Sequence, residues 1–298
     1  MKLPSMPGFA LVAGLSLVGC ATTGTTSAST ASNPAVAGAG DDEAAASLAE
    51  HHRHHSHSGV THFIAMSLDT LGADDAKKPQ IEKIQADLHE KMKPAREAEK
   101  AVTEVLAEGV ASGNIDKFKV DAAITALAST ASAVHEASLD SLNELHNVLS
   151  PAERAALSDK VRAHWEVWRR ENHEAAPGSR EHGSRLTNLA EELTLTPDQV
   201  EKISEALKTA MAPMAGKFDP AEIEGHVNAF ATAFTADTFD AKTLTIGGSA
   251  NAHMATHGAT RMATFYETVT PLLTPEQRTK LAERLREHLT HAHAHQAT

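Results

Sequence analysis

Histidine is the residue type best placed to do chemistry in this chain. There are 19 copies in 298 residues, and they cluster rather than scatter. His51, His52, His54, His55 and His57 fall within seven residues, with His62 just beyond, while His288, His291, His293 and His295 fall near the other end. Neutral imidazole is a borderline ligand that suits Zn²⁺, Cu²⁺ and Ni²⁺. If the last helix continues, His288, His291 and His295 stand at i, i+3 and i+7, a stripe able to offer imidazoles to one ion. The alternative is a solvated polar tail that binds metal only as any oligohistidine does. His253 and His257 make a separate i, i+4 pair, and two ligands rarely form a tight site. Both clusters would charge near pH 6, a second way to alter affinity for a partner.

Catalytic patterns are missing from the sequence. His89, His135 and His173 each precede Glu, but none completes HExxH, and no His follows a Glu by three residues as a di-iron bundle requires. There is no GxSxG, no Cys-x-x-Cys-His and no GxxxxGK[ST] loop. One Cys excludes a disulfide scaffold and any Cys-rich zinc module. The expectation is therefore a non-enzyme with no required cofactor, Zn, Cu or Ni being the possible ligands. A formal charge of −12 disfavours a nucleic-acid partner, which needs a basic footprint against phosphates.

The elements that must hold these residues begin after an address. Lys2 and the apolar run from Gly8 to Val18 have the form of a signal peptide, too short to span a bilayer. Leu17-Val18-Gly19-Cys20 resembles the lipobox of bacterial lipoproteins, which implies acylation of Cys20, and Ala21 in place of Asp resembles lipoproteins sent on to the outer membrane. Loss of residues 1–19 removes one charge, Lys2, and deepens the balance to −13. Ala21 to about Asp42 is Ala, Thr, Ser and Gly, unable to bury enough surface to offset its ordering entropy, and reads as a flexible leash. Ordered structure is expected from near Phe63.

Beyond the leash the period is helical. Ile81, Ile84, Leu88 and Met92 share one face, as do Val200, Ile203, Leu207, Met211 and Met214. Val120, Ile124, Leu127, Ala131 and Val134 advance by steps of four and three, a narrow seam suited to a partner helix. Ser150-Pro151, Thr196-Pro197 and Thr274-Pro275 read as helix starts. Low aromatic content (4%) and the absence of alternating strand patterns argue against sandwiches and barrels. The fold class expected is all-α.

The chain also repeats itself. A shift of 124 superposes Asp116 on Asp240, Leu149 on Leu273, Pro151 on Pro275, Arg154 on Arg278, Leu157 on Leu281 and His164 on His288. A shift of 119 superposes Gln80-Ile81-Glu82-Lys83-Ile84 on Gln199-Val200-Glu201-Lys202-Ile203. The expected organisation is a signal peptide (1–19), a lipidated Cys with linker and His tract (20–60), unit 1 (61–172), a linker (173–183) and unit 2 with a His-rich tail (184–298). The five-residue difference is placed in the turn after the first long helix.

Unit 2 carries Leu195-Thr196-x-x-Gln199 and Leu273-Thr274-x-x-Gln277, with Ala236-Asp237-Thr238-Phe239-Asp240 between them. In this it resembles the Spy/CpxP family of LTxxQ envelope proteins. Unit 1 departs from the pattern, reading Ala76-Lys77-Lys78-Pro79-Gln80 at its opening and Leu149-Ser150-Pro151-Ala152-Glu153 at its close. The resemblance implies tandem bent helical hairpins, packed as an intrachain pseudo-dimer. It also implies an ATP-independent envelope chaperone, on the periplasmic face of the outer membrane, whose partners are unfolded or misfolded proteins. Homo-oligomers are open, and contact with membrane is through the anchor alone. Candidate client contacts are Met211, Met214, Phe230, Phe234, Phe239, Met254 and Met262, which at helical spacing also read as core. The basic groups Lys91, Lys93, Arg96 and Lys100, and Lys280, Arg284 and Arg286, supply either positive surface or a neutralised solvated face. A metal-binding, buffering or sensing protein built on the His clusters is the alternative function, and a structural lipoprotein the third.

Overall fold

Helix-start chemistry sets out the elements in chain order. The computed structural model describes residues 59–170, 180–214, 217–245 and 247–294. Their helices are α1 (Val60–Asp69), α2 (Lys78–Ser112), α3 (Lys117–Val148), α4 (Pro151–Arg169), α5 (Arg180–Leu193), α6 (Pro197–Met211), α7 (Pro220–Thr235), α8 (Gly247–Val269) and α9 (Pro275–Ala294). Short 3₁₀ turns lie at Ala212–Met214, Ala241–Thr243 and Thr270–Leu272. No strand occurs among the described residues, so the chain is all-α as its periodicity predicts. The signal peptide, Cys20, the leash and His51 to His57 lie outside the described residues. The first described helix, α1, begins three residues before Phe63. Most of the expected linker also lies outside, and residues 180–183 at its end are helical.

Both units have one plan. α1, α2, α3 and α4 correspond in order to α5, α6 with α7, α8 and α9, and matched caps fix the correspondence. Asp116 caps α3 through Phe118 N and Lys119 N, while Asp240, its counterpart, caps the 3₁₀ turn before α8 through Lys242 N. In unit 1, α2 runs unbroken through Pro94, followed by helix formers from Ala95 to Ala101. Its counterpart Pro213 lies where unit 2 breaks, because Pro220 follows and the helix restarts behind an Asp219 cap. The buried faces then match at a shift of 121, Ile223, Val227 and Ala231 against Val102, Leu106 and Val110. Two of the five extra residues thus enter at this break and three in the following turn, whereas the sequence reading put all five in the turn.

The units interlock through exchanged helices. α3 packs along α8, the closing helix α4 packs on α7 of the other unit, and the closing helix α9 packs on α2. Lys117 Nζ lies 3.1 Å from Glu267 at one end of the α3–α8 pair, and Ala241 N donates to Asn143 Oδ1 (2.8 Å) at the other. The two helices are therefore antiparallel. Moving each partner by the 124-residue repeat turns the first contact into the second, the mark of a pseudo-two-fold. The seam holds the predicted Val120, Ile124, Leu127 and Ala131, all buried, facing Ala255, Ala259 and Ala263, whose small side chains let the helices approach closely, while the buried Val134 packs with Ala65 and Met92. Phe63, Trp165, Trp168, Phe230 and Phe234 fill a larger core among α1, α4 and α7.

Gly113 ends α2 at φ +80°, and a methyl group there would stand 2.9 Å from Arg278 Cζ. The flexible Arg278 side chain can shift away, so it is the positive φ that favours glycine at the turn into α3.

Candidate functional site

The motif residues prove to be architecture. Gln199 Oε1 accepts from Thr196 N (3.0 Å) and Gln277 Oε1 from Thr274 N (2.9 Å), each returned by its Thr Oγ1 accepting from the Gln backbone N. These are two capping boxes. The two amides then face each other. Gln199 Nε2 donates to Gln277 Oε1 (2.8 Å) and Gln277 Nε2 to Gln199 Oε1 (3.2 Å), with further donation to the carbonyls of Leu272 (3.0 Å) and Leu193 (3.4 Å). Leu273 is buried beneath them, and Leu195 is half-buried. This clamp binds the starts of α6 and α9 to each other and to the ends of the elements before them. In unit 1 the corresponding place holds an ion pair, Lys77 Nζ to Glu153 Oε2 at 2.6 Å. Burial works against the Glu153 carboxylate, but donors from Lys77, Ser150 and the Asp74 backbone outweigh it and hold the group down at about 2. The degraded motif is thus an electrostatic substitute for the amide clamp.

Four of the seven candidate client contacts retain some exposure. Phe230, Phe234 and Met254 do not: they are fully buried in the core among α4, α7 and α8, which corrects their assignment as contact residues. Apolar residues at helical spacing face the neighbouring helix, and on α7 that neighbour is α4. Phe239 is half-buried against Phe234 and His146, Met262 is half-buried against the α3–α8 seam, and Met211 and Met214 are half-exposed at the end of α6. Phe118, 88% exposed, is the one large apolar side chain among the described residues that stands in solvent.

An open groove of about 490 Å³ lies between α5 and α6, lined by Leu186, Leu195, Pro197 and Val200 and rimmed by Glu201, Ser204 and Glu205. Val200, Ser204, Leu207 and Met211 follow one another along the same half-exposed face of α6. The basic groups are spent on neighbours: Lys91 on Asp87 (2.6 Å), Lys93 on Glu90 (4.0 Å), Arg286 on Glu104 (3.6 Å), and Arg284 on Glu192. Arg96 donates to the His89 carbonyl at 2.7 Å.

The candidate metal ligands His51, His52, His54, His55, His57 and His295 lie outside the described residues. His288, His291 and His293 stand on α9, described there by backbone alone, and the helix does run through Ala294 as the i, i+3 spacing assumed. No group of three or more His, Cys, Asp or Glu able to hold an ion occurs among the described residues. The His253 and His257 pair divides: His253 Nδ1 meets Glu222 (3.0 Å), and the His257 ring stacks on Phe218 at 4.4 Å.

Buried histidines are what the sequence reading overlooked. His62, His135, His146, His164 and His226 are each 5% exposed or less. His164 stacks on Phe63, His146 packs between Phe234 and Phe239, and His135 meets His226 edge-on with ring centroids 6.1 Å apart. Desolvation lowers both members of that pair, His226 to about 4. The signal was present: Ile223, His226, Val227 and Phe230 form one stripe, with histidine in an apolar position. A narrow cleft of mixed lining lies among α1, α2, α3 and α8, with Thr61, His62, Arg96, Glu99 and Asn251 set among Met92, Ala95, Ala131 and Val134, and burial pushes the Glu99 carboxyl up to about 8. No protein-family profile, curated protein or solved structure matches the chain.

Proposed function

We propose that this chain is an ATP-independent chaperone of the bacterial cell envelope, lipid-anchored through Cys20, that holds unfolded protein segments on the groove of α5 and α6. The observation that carries the reading is that groove: apolar at its floor, open to solvent, acidic at its rim. Apolar surface left open on a folded protein marks an interaction site, and Met211 and Met214 beside it adapt to varied side chains. Glu201, with Glu205 already paired to Lys208 at 2.5 Å, favours client segments that mix apolar and basic residues. The Spy/CpxP resemblance and the tandem hairpins that pack as a pseudo-dimer support the same reading. No described helix is long and apolar enough to cross a membrane, and an acyl chain on Cys20 would supply a reversible anchor.

Aggregation of a chemically unfolded client, followed by light scattering with and without the protein, tests the reading. Suppression near stoichiometric ratios is expected, and Leu186→Glu with Val200→Glu reduces it several-fold while leaving the melting temperature within a few degrees. Absence of suppression by the unaltered protein rules the reading out. The helical course of α9 through Ala294 keeps His288 and His291 one turn apart and favours a second, compatible reading, metal buffering. Calorimetric titration with Zn²⁺ against a variant lacking both His clusters decides it, equal weak binding in both being the negative result.

A further inference from the structure

The apolar side chains expected at the surface are sealed beneath α7, and the seal is closed by histidines. His226 lies on the buried face of α7 beside Val227, 3% exposed, and its Nδ1 has no hydrogen-bond partner. It faces His135 of α3 across the boundary between the two units. The His135 ring rests on Gly247, the first residue of α8, so closely that a side chain there would overlap it. Gly247 therefore closes one side of the His135 ring, while α7 is bounded by a break at each end. Its counterpart in unit 1 is the second half of an unbroken helix, whereas α7 is separated from α6 by the 3₁₀ turn Ala212–Met214 and the Pro220 restart, and from α8 by the Ala236–Asp240 turn. At that second hinge His146 Nε2 lies 2.9 Å from the Ala236 carbonyl.

We propose that α7 is an acid-released flap: protonation of the His135–His226 pair drives α7 off α3 and α4 and uncovers Ile223, Val227, Phe230 and Phe234 as a second client-binding face. The proposal rests on the chaperone reading and supplies its regulation. Two cations with centroids 6.1 Å apart repel, and burying a charged His226, whose Nδ1 has no acceptor, is strongly disfavoured. Charged and titratable groups surround the seam, and Glu136 on α3 with the Leu244 carbonyl favours charge on His135 while no carboxylate acts on His226. His135 is the group that acts on His226. On α2, Arg96 and Glu99 line the cleft beside Val134, with His62 of α1. On α4, Asp159 and Arg162 pair with each other and reach Asn228 of α7 (3.4 Å from Arg162 Nε). On α8, His253 is engaged with Glu222 of α7, and His257 with Phe218.

Hydrogen–deuterium exchange of the full chain between pH 7.5 and 4.5, corrected for intrinsic rates, tests the flap. Protection over 220–235 should fall at least tenfold between pH 7 and pH 5 while α2 and α3 stay protected, with a parallel rise in binding of an apolar dye. His135→Gln with His226→Gln, or His226→Gln alone should the pair fail to fold at pH 7, should hold the loss within twofold. Uniform loss across all helices, no loss in the unaltered protein, or the same loss in the variants would each overturn the flap. Client aggregation measured at both pH values separates the two ideas. If α7 opens and suppression is absent at both, the chaperone reading fails together with the client-binding role of the uncovered face, and only the acid release of α7 stands. If suppression is present at both and α7 stays closed, the flap fails and the reading stands.

Discussion

Gln199 and Gln277 are 78 residues apart and use the same atoms twice, once to cap their own helix and once to hold the other's. Replacing either with Ala removes a capping bond and leaves buried carbonyls, Leu193 or Leu272, without a donor. A loss of about 1–2 kcal/mol for each is expected. A double-mutant cycle by chemical denaturation should show a coupling above about 0.5 kcal/mol, and simple additivity would mean the amide pair contributes nothing. Local spacing revealed the two helix starts and even the capping residues. That they meet was not legible, since reciprocity between distant turns appears only when the chain closes. The misassignment of Phe230, Phe234 and Met254 has the opposite cause. The stripe was visible, but whether it faces a neighbour or solvent depends on where α4 lies. His288 illustrates the same limit, being the repeat counterpart of His164, which is a packed core residue.

At the scale of elements, the α3–α8 pair is governed by small residues. Ala255, Ala259 and Ala263 are 5% exposed or less and face Val120, Ile124 and Leu127. Ala259→Leu adds three carbons to a filled seam, and overpacking of this kind costs about 1–3 kcal/mol. A drop of several degrees in melting temperature is expected, with α3 and α8 losing exchange protection first. A neutral result would mean the helices can part without loss. Gly113→Ala tests the turn before α3 in the same assay. It brings strain at positive φ, and about 1–2 kcal/mol should be lost. The seam itself was readable from its alternating three- and four-residue steps, which require a partner helix. Its partner was not, because any of several amphipathic helices could have supplied the facing surface.

For the molecule as a whole, buried ionisable groups of opposite sense set the pH at which the fold is most stable. His226 titrates at about 4 when folded and near 6.5 when unfolded, so the unfolded chain binds more protons between those values. Stability therefore falls as pH drops from 6.5 towards 4, by at most about 3 kcal/mol from this group, and His135 adds in the same direction. Glu99 does the reverse. Its folded value of about 8 exceeds the unfolded 4.5, so the folded chain holds the extra proton and stability declines as pH rises from 4.5 to 8. Two histidines outweigh one carboxyl on the acid side, while above 6.5 the carboxyl acts alone. The melting temperature should peak between about pH 6 and 7, with a steeper acid limb. Glu153 steepens that limb further, since its paired state near 2 is lost as pH falls below 4.5. His226→Gln should flatten the acid limb, Glu99→Gln should flatten the limb above pH 6.5, and Lys77→Met should weaken the protein at neutral pH and by a clearly smaller margin near pH 3. Thermal melts of the four proteins from pH 3 to 9 check all three. A peak at the isoelectric region that follows net charge alone, and ignores these substitutions, would show that the buried groups do not govern the fold.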